Sequence, residues 1–308
     1  MRNAFAKTIT ELAKQKKDIV LLAGDIGNKL FDNYKRNNPD RFYNCGVAEA
    51  NMTGVASGLA SNGLRPITYT ITPFNTARCF EQIRLDICYP NLPVIIVGTG
   101  SGLSYASLGA THHSMEDISI LKTLPNLQIL CPGDPKEVRQ ALIEAYESKK
   151  PTYIRLGKKG EPIIFKKKPK FKIGKSTKIS SGKDIVLLGV GNALSIASDC
   201  MKLLKKYNVH SDLFSFHTIK PLDERILKKF FKQKKLLAVI EEHGLIGGAG
   251  SSILEWANSK GYDSRNILRF GGPDKFLTGC GNQNEARRFI GLTPQKICRE
   301  ILKNFDKK

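Results

Sequence analysis

The chain has 308 residues, of which 41% are hydrophobic and 25% are charged, a composition typical of globular proteins and a length that suits two domains. No apolar run approaches the roughly 18 residues of a membrane span, so we expect no membrane-spanning helix and no membrane partner. The seven cysteines are odd in number and lack C-x-x-C spacing, which argues against a disulfide framework or zinc ribbon and favours reduced thiols in the cytoplasm.

The net charge is +21, and lysines cluster at 166–172 and 228–235. A strongly basic chain suggests nucleic acid, an anionic small substrate or an acidic partner subunit. Because no nucleic-acid-binding motif accompanies the lysines, which also solvate surfaces, we expect no nucleic acid partner.

Helical and strand patterns alternate through the first half of the chain. The first helix is amphipathic and basic like a transit peptide, but it contains Glu11 and runs directly into a strand, so we interpret it as part of the fold. The predicted strands are 19–23, 42–45, 67–71, 94–97, 128–131 and 152–156, and the predicted helices are 3–16, 75–89, 115–123 and 135–148. Strands separated by helices predict a parallel α/β sheet.

A second α/β pattern follows residues 157–180, which are rich in Lys, Pro and Gly and predict a linker across the surface. Its predicted strands are 184–188, 211–215 and 236–241, and its helices are 193–206, 223–233, 247–259 and 293–304. We therefore predict a first domain over 1–160, a linker over 161–180 and a smaller parallel-sheet domain over 181–308.

Two glycine-rich turns and a histidine pair have ordinary structural interpretations. The Gly189–Asn192 turn lacks the third glycine of a dinucleotide loop, because Leu194 stands there, and Gly244–Gly250 lacks the Gly-Lys-Ser/Thr of a P-loop. Tight turns are therefore favoured at both. His112 and His113 have no third ligand at useful spacing, so we expect no metal site; His112 is a candidate to contact a polar substrate.

Residues 46–63 (GVAEANMTGVASGLASNG) contain one charge, Glu49, among small residues. A glutamate in the first turn complements the helix dipole and needs no further function. The absence of other charges, however, indicates a helix that is buried on most sides. A buried carboxyl without a partner is readily protonated and can donate a hydrogen bond to a basic ring nitrogen.

The segment 41–52 (RFYNCGVAEANM) resembles the G-I-x-E segment of the pyrimidine-binding domain of transketolases, which are thiamine diphosphate enzymes. Other segments resemble the same family in the same order: 63–66 with Phe74, 109–112 with 116–117, 124–127, 219–223 and 241–250. The resemblance covers essentially the whole chain. It implies a pyrimidine-binding domain followed by a transketolase C-terminal domain, each a three-layer α/β domain with a parallel sheet.

The resemblance also implies a missing half. Gly24–Gly27 is not the Gly-Asp-Gly…Asn motif that holds the diphosphate through Mg²⁺, and no such motif occurs elsewhere. The chain thus resembles the C-terminal section of a split transketolase. A separate N-terminal-section subunit would hold the diphosphate and most of the Mg²⁺ coordination, in an α₂β₂ assembly, and this chain alone would be inactive.

Family roles carry over to matching positions. Glu49 would hydrogen-bond N1′ of the aminopyrimidine and favour the tautomer that removes the thiazolium proton. Phe74 would stack on the pyrimidine, Ile71 would line the same pocket, and Asp25 with Ile26 would lie near the thiazolium.

On the substrate side, the resemblance places His112 at the hydroxyls of the donor and Lys158 where relatives carry a phosphate-binding arginine. Leu108 replaces an expected aspartate and Gly100 an expected histidine, so two donor contacts are missing. We expect a sugar phosphate or a modified ketose as substrate. The alternatives are a β-subunit-like part of a 2-oxo acid dehydrogenase, a deoxyxylulose phosphate synthase-like enzyme, or a non-catalytic subunit.

Overall fold

The computed structural model describes residues 1–27, 29–233 and 235–305. They form two α/β units, each with one sheet that is covered by helices on both faces. The strands are β1 (Ile19–Ala23), β2 (Phe42–Asn44), β3 (Arg65–Ile71), β4 (Ile95–Thr99), β5 (Gln128–Leu130), β6 (Thr152–Leu156), β7 (Thr177–Ser180), β8 (Ile185–Val190), β9 (Ser211–Ser215), β10 (Thr218–Lys220), β11 (Leu236–Gly244) and β12 (Ile267–Gly272).

The helices pack on the two faces of these sheets. They are α1 (Arg2–Gln15), α2 (Asp32–Asn37), α3 (Glu49–Ser61), α4 (Thr72–Asn75), α5 (Phe80–Gln82), α6 (Asp117–Leu121), α7 (Pro135–Ser148), α8 (Leu194–Lys206), α9 (Glu224–Lys232), α10 (Ala249–Ser259), α11 (Gln283–Phe289) and α12 (Pro294–Phe305). Among the described residues, no helix is both long and apolar enough to cross a bilayer.

The first sheet has the strand order β10-β5-β6-β4-β3-β1-β2, and β5 through β2 run parallel. Alternate residues face opposite layers: Ile19 and Leu21 pack with α1 and α7, whereas Val20 and Leu22 pack with α3. Continuous apolar strands of this kind suit a parallel sheet that is buried on both faces. Because parallel strands end at one edge, the loops after β1, β3, β4 and β6 converge there.

The second sheet has the order β12-β11-β8-β9-β7, with β7 antiparallel to β9. The first sheet likewise ends in one antiparallel strand, β10, which the second half of the chain contributes to it. The predicted α/β fold with two parallel sheets is confirmed, and each sheet gains one antiparallel edge strand.

Several local predictions differ from the structure. The helix predicted over 75–89 is interrupted by turns after α4, which ends at Asn75, and consists of the short α5 followed by a wider π-type turn at Ile83–Cys88. The segment predicted as a linker contributes β7, and its Phe171 is buried and stacks on His217 with ring centroids 3.8 Å apart. The boundaries proposed for the two domains stay a prediction.

The loop before α10 illustrates why its glycines bind no phosphate. The Glu241 carboxylate already accepts hydrogen bonds from the backbone N–H groups of Ala249 (2.7 Å) and Gly250 (2.9 Å). A Cβ at Gly248 would collide with the same carboxylate. An anion at this helix N-terminus would therefore meet a negative charge, and the glycines serve close packing, as the sequence indicated.

A buried ion pair between Asp117 and Arg155 joins the loops of the first unit to the second. Arg155 Nε donates to Asp117 Oδ2 at 2.7 Å, and the side chains of both residues are almost fully buried. The same guanidinium donates to the backbone carbonyls of Ser114 and Glu242, each at 3.0 Å. Burial opposes ionisation of Asp117. The charge of Arg155, the neighbouring His243 and the hydrogen bonds from Arg155 and Tyr153 together outweigh burial and lower the pKa of the aspartate.

Replacing Asp117 with asparagine is expected to lower the free energy of unfolding by about 3–5 kcal/mol, since the change leaves a buried guanidinium without its counter-ion. Denaturant unfolding measures the loss. The matched control is Asp199→Asn, because Asp199 pairs with Lys202 on the exposed surface and its replacement is expected to cost less than about 1 kcal/mol. Equal losses for the two variants would contradict the account.

A second buried carboxyl, Glu137, lies between the units. Its Oε2 accepts hydrogen bonds from Gly133 N and Ser215 Oγ, each at 2.7 Å. Oε1 has no hydrogen-bond partner among the described residues. Burial raises the pKa of Glu137 to about 8, so the carboxyl is mostly protonated at neutral pH.

The raised pKa predicts a loss of stability with rising pH. The folded chain keeps the Glu137 proton up to about pH 8, whereas the unfolded chain releases it near pH 4.5, so stability falls across that range. Between pH 6.5 and 8 the loss is about 2 kcal/mol, at about 1.4 kcal/mol per pH unit. We expect Glu137→Gln to remove this slope in denaturant unfolding, whereas Glu144→Gln on the same helix keeps it. A slope that persists in Glu137→Gln would contradict the assignment.

Candidate cofactor and substrate site

Glu49 is the first residue of α3, and it follows the edge strand β2 at the end of the sheet where the parallel strands finish. It is 1% exposed, together with buried Met52, Thr53 and Ala56 on the same helix face. The opposite face is open in the single chain, since Val55 and, just before the helix, Val47 (73% exposed) reach solvent. The expectation that the helix is buried on most sides is therefore wrong for this chain alone.

The Glu49 carboxylate pairs with Arg78, a residue that the sequence analysis missed. Arg78 Nη1 donates to Glu49 Oε2 at 2.7 Å, and the guanidinium carbon lies 4.3 Å from the centroid of the Phe74 ring. Arg78 is itself nearly half exposed. Arg78 thus contacts both Glu49, which is predicted to bind an aminopyrimidine, and Phe74, which is predicted to stack on it. Its positive charge also balances the negative charge of the buried carboxylate.

The walls beside Glu49 come from the ends of β1 and β3. A Cβ at Gly24 would lie 3.0 Å from the Thr70 side chain and 3.3 Å from Glu49 Cγ. Thr70 Oγ1 is buried without a hydrogen-bond partner among the described residues. Ile71, the last residue of β3, leads directly into α4, which carries Phe74. The glycine therefore allows a close approach of backbone to the predicted cofactor residues.

Asp25 and Ile26 follow Gly24 at the end of β1. Asp25 has a φ of 52°, and its carboxylate accepts a hydrogen bond of 3.0 Å from Asn44 Nδ2, at the end of β2. Both residues line an open cavity of about 950 Å³ against α1. They lie next to Glu49 in the fold but face the side of α1.

His112 lies on the other side of Phe74. The two ring centroids are 5.2 Å apart, and His112 Nδ1 is 2.9 Å from Thr111 Oγ1. Burial, and then the neighbouring His113, lower the pKa of His112. The imidazole is therefore mostly neutral at pH 7 and can exchange hydrogen bonds with a sugar hydroxyl.

Lys158 adds a positive charge to this end of the site. Its Nζ lies 4.3 Å from the centroid of the Tyr105 ring. Burial, and then the charges of Lys159 and Arg2, lower the pKa of Lys158.

No carboxylate forms an ion pair with Lys158 or Arg2 in the part of the chain that the structure describes. The cations repel one another, an arrangement that attracts an anion such as a phosphate. Of the described residues, the one carboxylate placed beside them, Glu161, lies against Gly157 and is paired with the amine of Met1.

Arg2 is the second residue that the sequence analysis missed. Its Nε is buried without a hydrogen-bond partner among the described residues, and α1 places it beside the same cavity as Asp25 and Ile26. No pattern in the sequence of the N-terminal helix distinguishes Arg2 from the many other basic residues, so it could not be predicted as a site residue. Within the described residues no group of three His, Cys, Asp or Glu is placed to hold a metal ion.

Residues 1–161 match the family of transketolase pyrimidine-binding domains, and residues 174–297 match the family of transketolase C-terminal domains. The chain belongs to the transketolase family. The resemblance drawn from the sequence is confirmed, and the two α/β units are the two family domains.

Known transketolase relatives align over nearly all of the chain. A transketolase C-terminal section of Methanocaldococcus jannaschii is 32% identical over 100% of this chain and 96% of its own length. A subunit of the apulose-4-phosphate transketolase of Phocaeicola vulgatus is 30% identical over 98% of this chain and 96% of its own length. A 1-deoxy-D-xylulose-5-phosphate synthase of Caldanaerobacter subterraneus is 31% identical over 98% of this chain, which spans 48% of that enzyme.

A solved structure has the same fold throughout. It is described as a split gene transketolase, inactive β4 tetramer, and it superposes with a TM-score of 0.88 at 30% identity, covering 99% of this chain and 97% of its own. This solved structure and the relatives of Methanocaldococcus jannaschii and Phocaeicola vulgatus, which the chain spans almost completely, support a separately encoded transketolase subunit. The synthase carries the matching region as about half of a longer chain.

Proposed function

We propose that this chain is one subunit of a heteromeric, thiamine diphosphate-dependent transketolase. The complex transfers a two-carbon ketol unit from a ketose, phosphorylated or otherwise modified, to an aldose. One observation carries the proposal: a buried glutamate at the N-terminus of an otherwise uncharged helix, Glu49, shares one guanidinium with the aromatic Phe74. The division into residues 1–160, 161–180 and 181–308 is part of the same proposal.

The residues fit an aminopyrimidine. The ring needs a hydrogen-bonding carboxyl, an aromatic face and a polar group, and Glu49, Phe74 and the unpartnered hydroxyl of Thr70 supply these. Ile71 adds an apolar wall. Gly24, which has no side chain, leaves room for the side chains of Thr70 and Glu49 beside it. Asp25 and Ile26 are proposed to lie toward the thiazolium side.

Thiamine diphosphate, when bound, supplies the carbon nucleophile and electron sink that break the bond next to a ketose carbonyl. Glu49 is proposed to hold a proton at its carboxyl against the pyrimidine nitrogen N1′. Because the carboxyl is shielded from water, that hydrogen bond is stronger than it would be in solvent. Arg78 pairs with Oε2 of this carboxyl in the structure, and its half-exposed position gives it room to move aside when the protonated carboxyl meets N1′.

The substrate is proposed to lie beyond Phe74, toward His112 and the cations. His112 would exchange hydrogen bonds with donor hydroxyls while neutral. Lys158 and Arg2 would bind the phosphate, Lys158 as a point charge and Arg2 through its planar guanidinium. Leu108 and Gly100 remove two polar contacts from this wall.

The diphosphate and most of the Mg²⁺ coordination are assigned to a partner, the N-terminal-section subunit, in a proposed α₂β₂ assembly. The exposed uncharged face of α3, with small residues that allow close approach, supports a subunit contact at this helix. The seven free cysteines support a cytoplasmic location.

A 1-deoxy-D-xylulose-5-phosphate synthase-like reaction is the second candidate, since such an enzyme is a relative at similar identity. That reaction and a 2-oxo acid dehydrogenase both begin by decarboxylating a 2-oxo acid, whereas ketol transfer releases no CO₂. CO₂ release from pyruvate therefore separates these alternatives from ketol transfer.

The test is affinity capture of this chain from native lysate under conditions that keep complexes intact. We expect a partner with a Gly-Asp-Gly…Asn motif, together with thiamine diphosphate, measured by mass spectrometry. A chain that is recovered alone and free of the cofactor would support the non-catalytic alternative instead.

A further inference from the structure

Residues 102–114, between β4 and α6, form a loop that is closed at its base by an antiparallel bridge. Gly102 N donates to Ser114 O at 3.1 Å, and Ser114 N donates to Gly102 O at 2.9 Å. The loop carries Tyr105 and His112, whose ring centroids are 5.9 Å apart, and the His112 ring lies 5.2 Å from that of Phe74. The way in which the base of the loop is held therefore decides where the His112 imidazole lies in the candidate site.

Glu242, in strand β11 of the second unit, holds the start of this loop. Its side chain is fully buried (0% exposed), and its Oε1 accepts a hydrogen bond of 2.7 Å from the backbone N–H of Leu103. A Cβ at Gly102, whose φ is 63°, would lie 2.6 Å from the same oxygen and 2.7 Å from the backbone carbonyl oxygen of Glu242. Only a glycine allows the loop and the carboxylate to approach this closely, because a side chain would push them apart.

The other end of the loop is tied to Glu242 through Arg155. Arg155 Nη2 donates to the backbone carbonyl of Glu242 and to that of Ser114, each at 3.0 Å. One residue of the second unit thus reaches both ends of the loop, the start through its side chain and the end through its main chain.

Donors from the second unit orient the Glu242 carboxylate. Asn192 Nδ2 (3.0 Å) and Gln283 Nε2 (2.8 Å) donate to Oε1, and Arg287 Nε donates to Oε2. Hydrogen bonds to a charged acceptor are shorter and about twice as strong as those between neutral groups. The carboxylate that accepts from the loop is therefore itself held in one orientation.

The tip of the loop, in contrast, is exposed. Leu103 and Ala106 pack with Leu277 and Ala286 of the second unit, whereas residues 107, 108, 110 and 111 lie at the surface. Segments with few buried contacts open more readily than the core of a protein. The position of His112, next to this tip, therefore depends on the contacts at the base of the loop.

We propose that Glu242 is a positioning residue of the substrate site, which acts through the base of the 102–114 loop to hold His112 beside Phe74. The inference rests on the proposed function and deepens it, since it assigns the orientation of a substrate contact to a buried residue of the second unit. A displacement of about 1 Å in such a contact costs up to about 100-fold in rate.

Hydrogen exchange of the full-length chain tests the hold on the loop without an assay of activity. Glu242→Gln keeps the size of the side chain but replaces one acceptor oxygen by an amide group that donates. We expect the backbone amides of residues 103–112 to exchange at least about tenfold faster, with exchange in α7 unchanged.

The matched control is Glu241→Gln, which changes a buried glutamate of the same strand whose carboxylate accepts from Ala249 and Gly250 instead. The loop is expected to exchange at the parent rate in this variant. Equal exchange of the loop in Glu242→Gln and Glu241→Gln would overturn the proposal.

Kinetics of the complex with the partner subunit and cofactor test whether Glu242 acts through His112. Glu242→Gln is expected to raise KM for D-xylulose 5-phosphate by about tenfold and to change kcat much less, whereas Glu241→Gln leaves both within about twofold. In a His112→Ala background the same substitution is expected to change KM by less than about twofold, because the contact that Glu242 positions is already absent. An equal rise in KM in both backgrounds would overturn the assignment.

Gln283→Leu is a milder second variant, in case Glu242→Gln does not fold. It removes the hydrogen bonds from Gln283 Nε2 to Glu242 (2.8 Å) and to Ser104 Oγ (3.3 Å). The same changes in loop exchange and KM are expected at smaller size, and their absence would contradict the proposal. A parent complex that binds cofactor but transfers no ketol unit refutes the proposed function instead, whereas the exchange experiment still decides whether Glu242 holds the loop.

Discussion

Replacement of Glu49 by glutamine lowers kcat for ketol transfer by about 100-fold to 10,000-fold in the reconstituted complex, the range expected when a group that handles a proton is lost. Glutamine keeps the size of the side chain and can still hydrogen-bond Arg78. It cannot take up and release the proton that the pyrimidine nitrogen shares with the carboxyl. Steady-state kinetics with saturating cofactor measures the effect.

The matched control is Glu81→Gln, which removes an exposed glutamate paired with Arg84 on a neighbouring surface. Its kcat is expected to stay within twofold of the parent value. A Glu49→Gln complex that binds cofactor and keeps kcat within tenfold of the parent would show that the carboxyl does not activate the cofactor.

Replacement of Lys158 by methionine raises KM for a phosphorylated donor by about 10-fold to 100-fold and changes kcat much less, because a phosphate contact acts in the ground state and the transition state alike. Arg2→Met is expected to have a similar effect, since the two cations attract the same anion. Initial rates at varied donor concentration give both constants.

Two controls isolate the phosphate contact. Lys170→Met removes a lysine on the exposed surface and is expected to leave KM unchanged. The unphosphorylated form of the same ketose is expected to show equal KM in parent and Lys158→Met complexes. A fall in kcat with KM unchanged would assign Lys158 to the reaction step rather than to phosphate binding.

The sequence predicted the central strands because they are long, apolar and separated by amphipathic helices, and β1, β6 and β9 occur at their predicted residues. The edge strands β7, β10 and β12 were missed. Strands β7 and β10 each pair antiparallel with a strand far along the chain, and three or four residues in a polar segment give no period to detect. Their pairing depends on tertiary contacts.

Some residues of the candidate site were likewise predicted from the sequence, and others were missed. Glu49 was found because one carboxylate among small residues is a local anomaly, and Phe74 and His112, found through the family pattern, lie in one cluster with it. Arg78 and Arg2 were missed, because one arginine in a chain with 49 basic residues carries no local signal. The roles of Arg78 and Arg2 depend on which groups of the folded chain lie next to each guanidinium.

Tyr105 shows a feature of packing that the sequence alone does not reveal. The sequence reveals that Gly100 lacks a side chain, but only the packing of the ring against that glycine shows what fills the space. The effect of a substitution at position 100 therefore depends on the Tyr105 ring, which fills the space beside it.

The central claim is that this chain supplies one half of a thiamine diphosphate site and a partner supplies the other. The most direct measurement is ketol transfer from D-xylulose 5-phosphate and its 4-deoxy analogue to an aldose acceptor, with Mg²⁺ and cofactor, for each purified chain and for their mixture. We expect transfer by the mixture and none by either chain alone. Transfer by this chain alone, or none by a mixture that forms a cofactor-bound complex, would contradict the account.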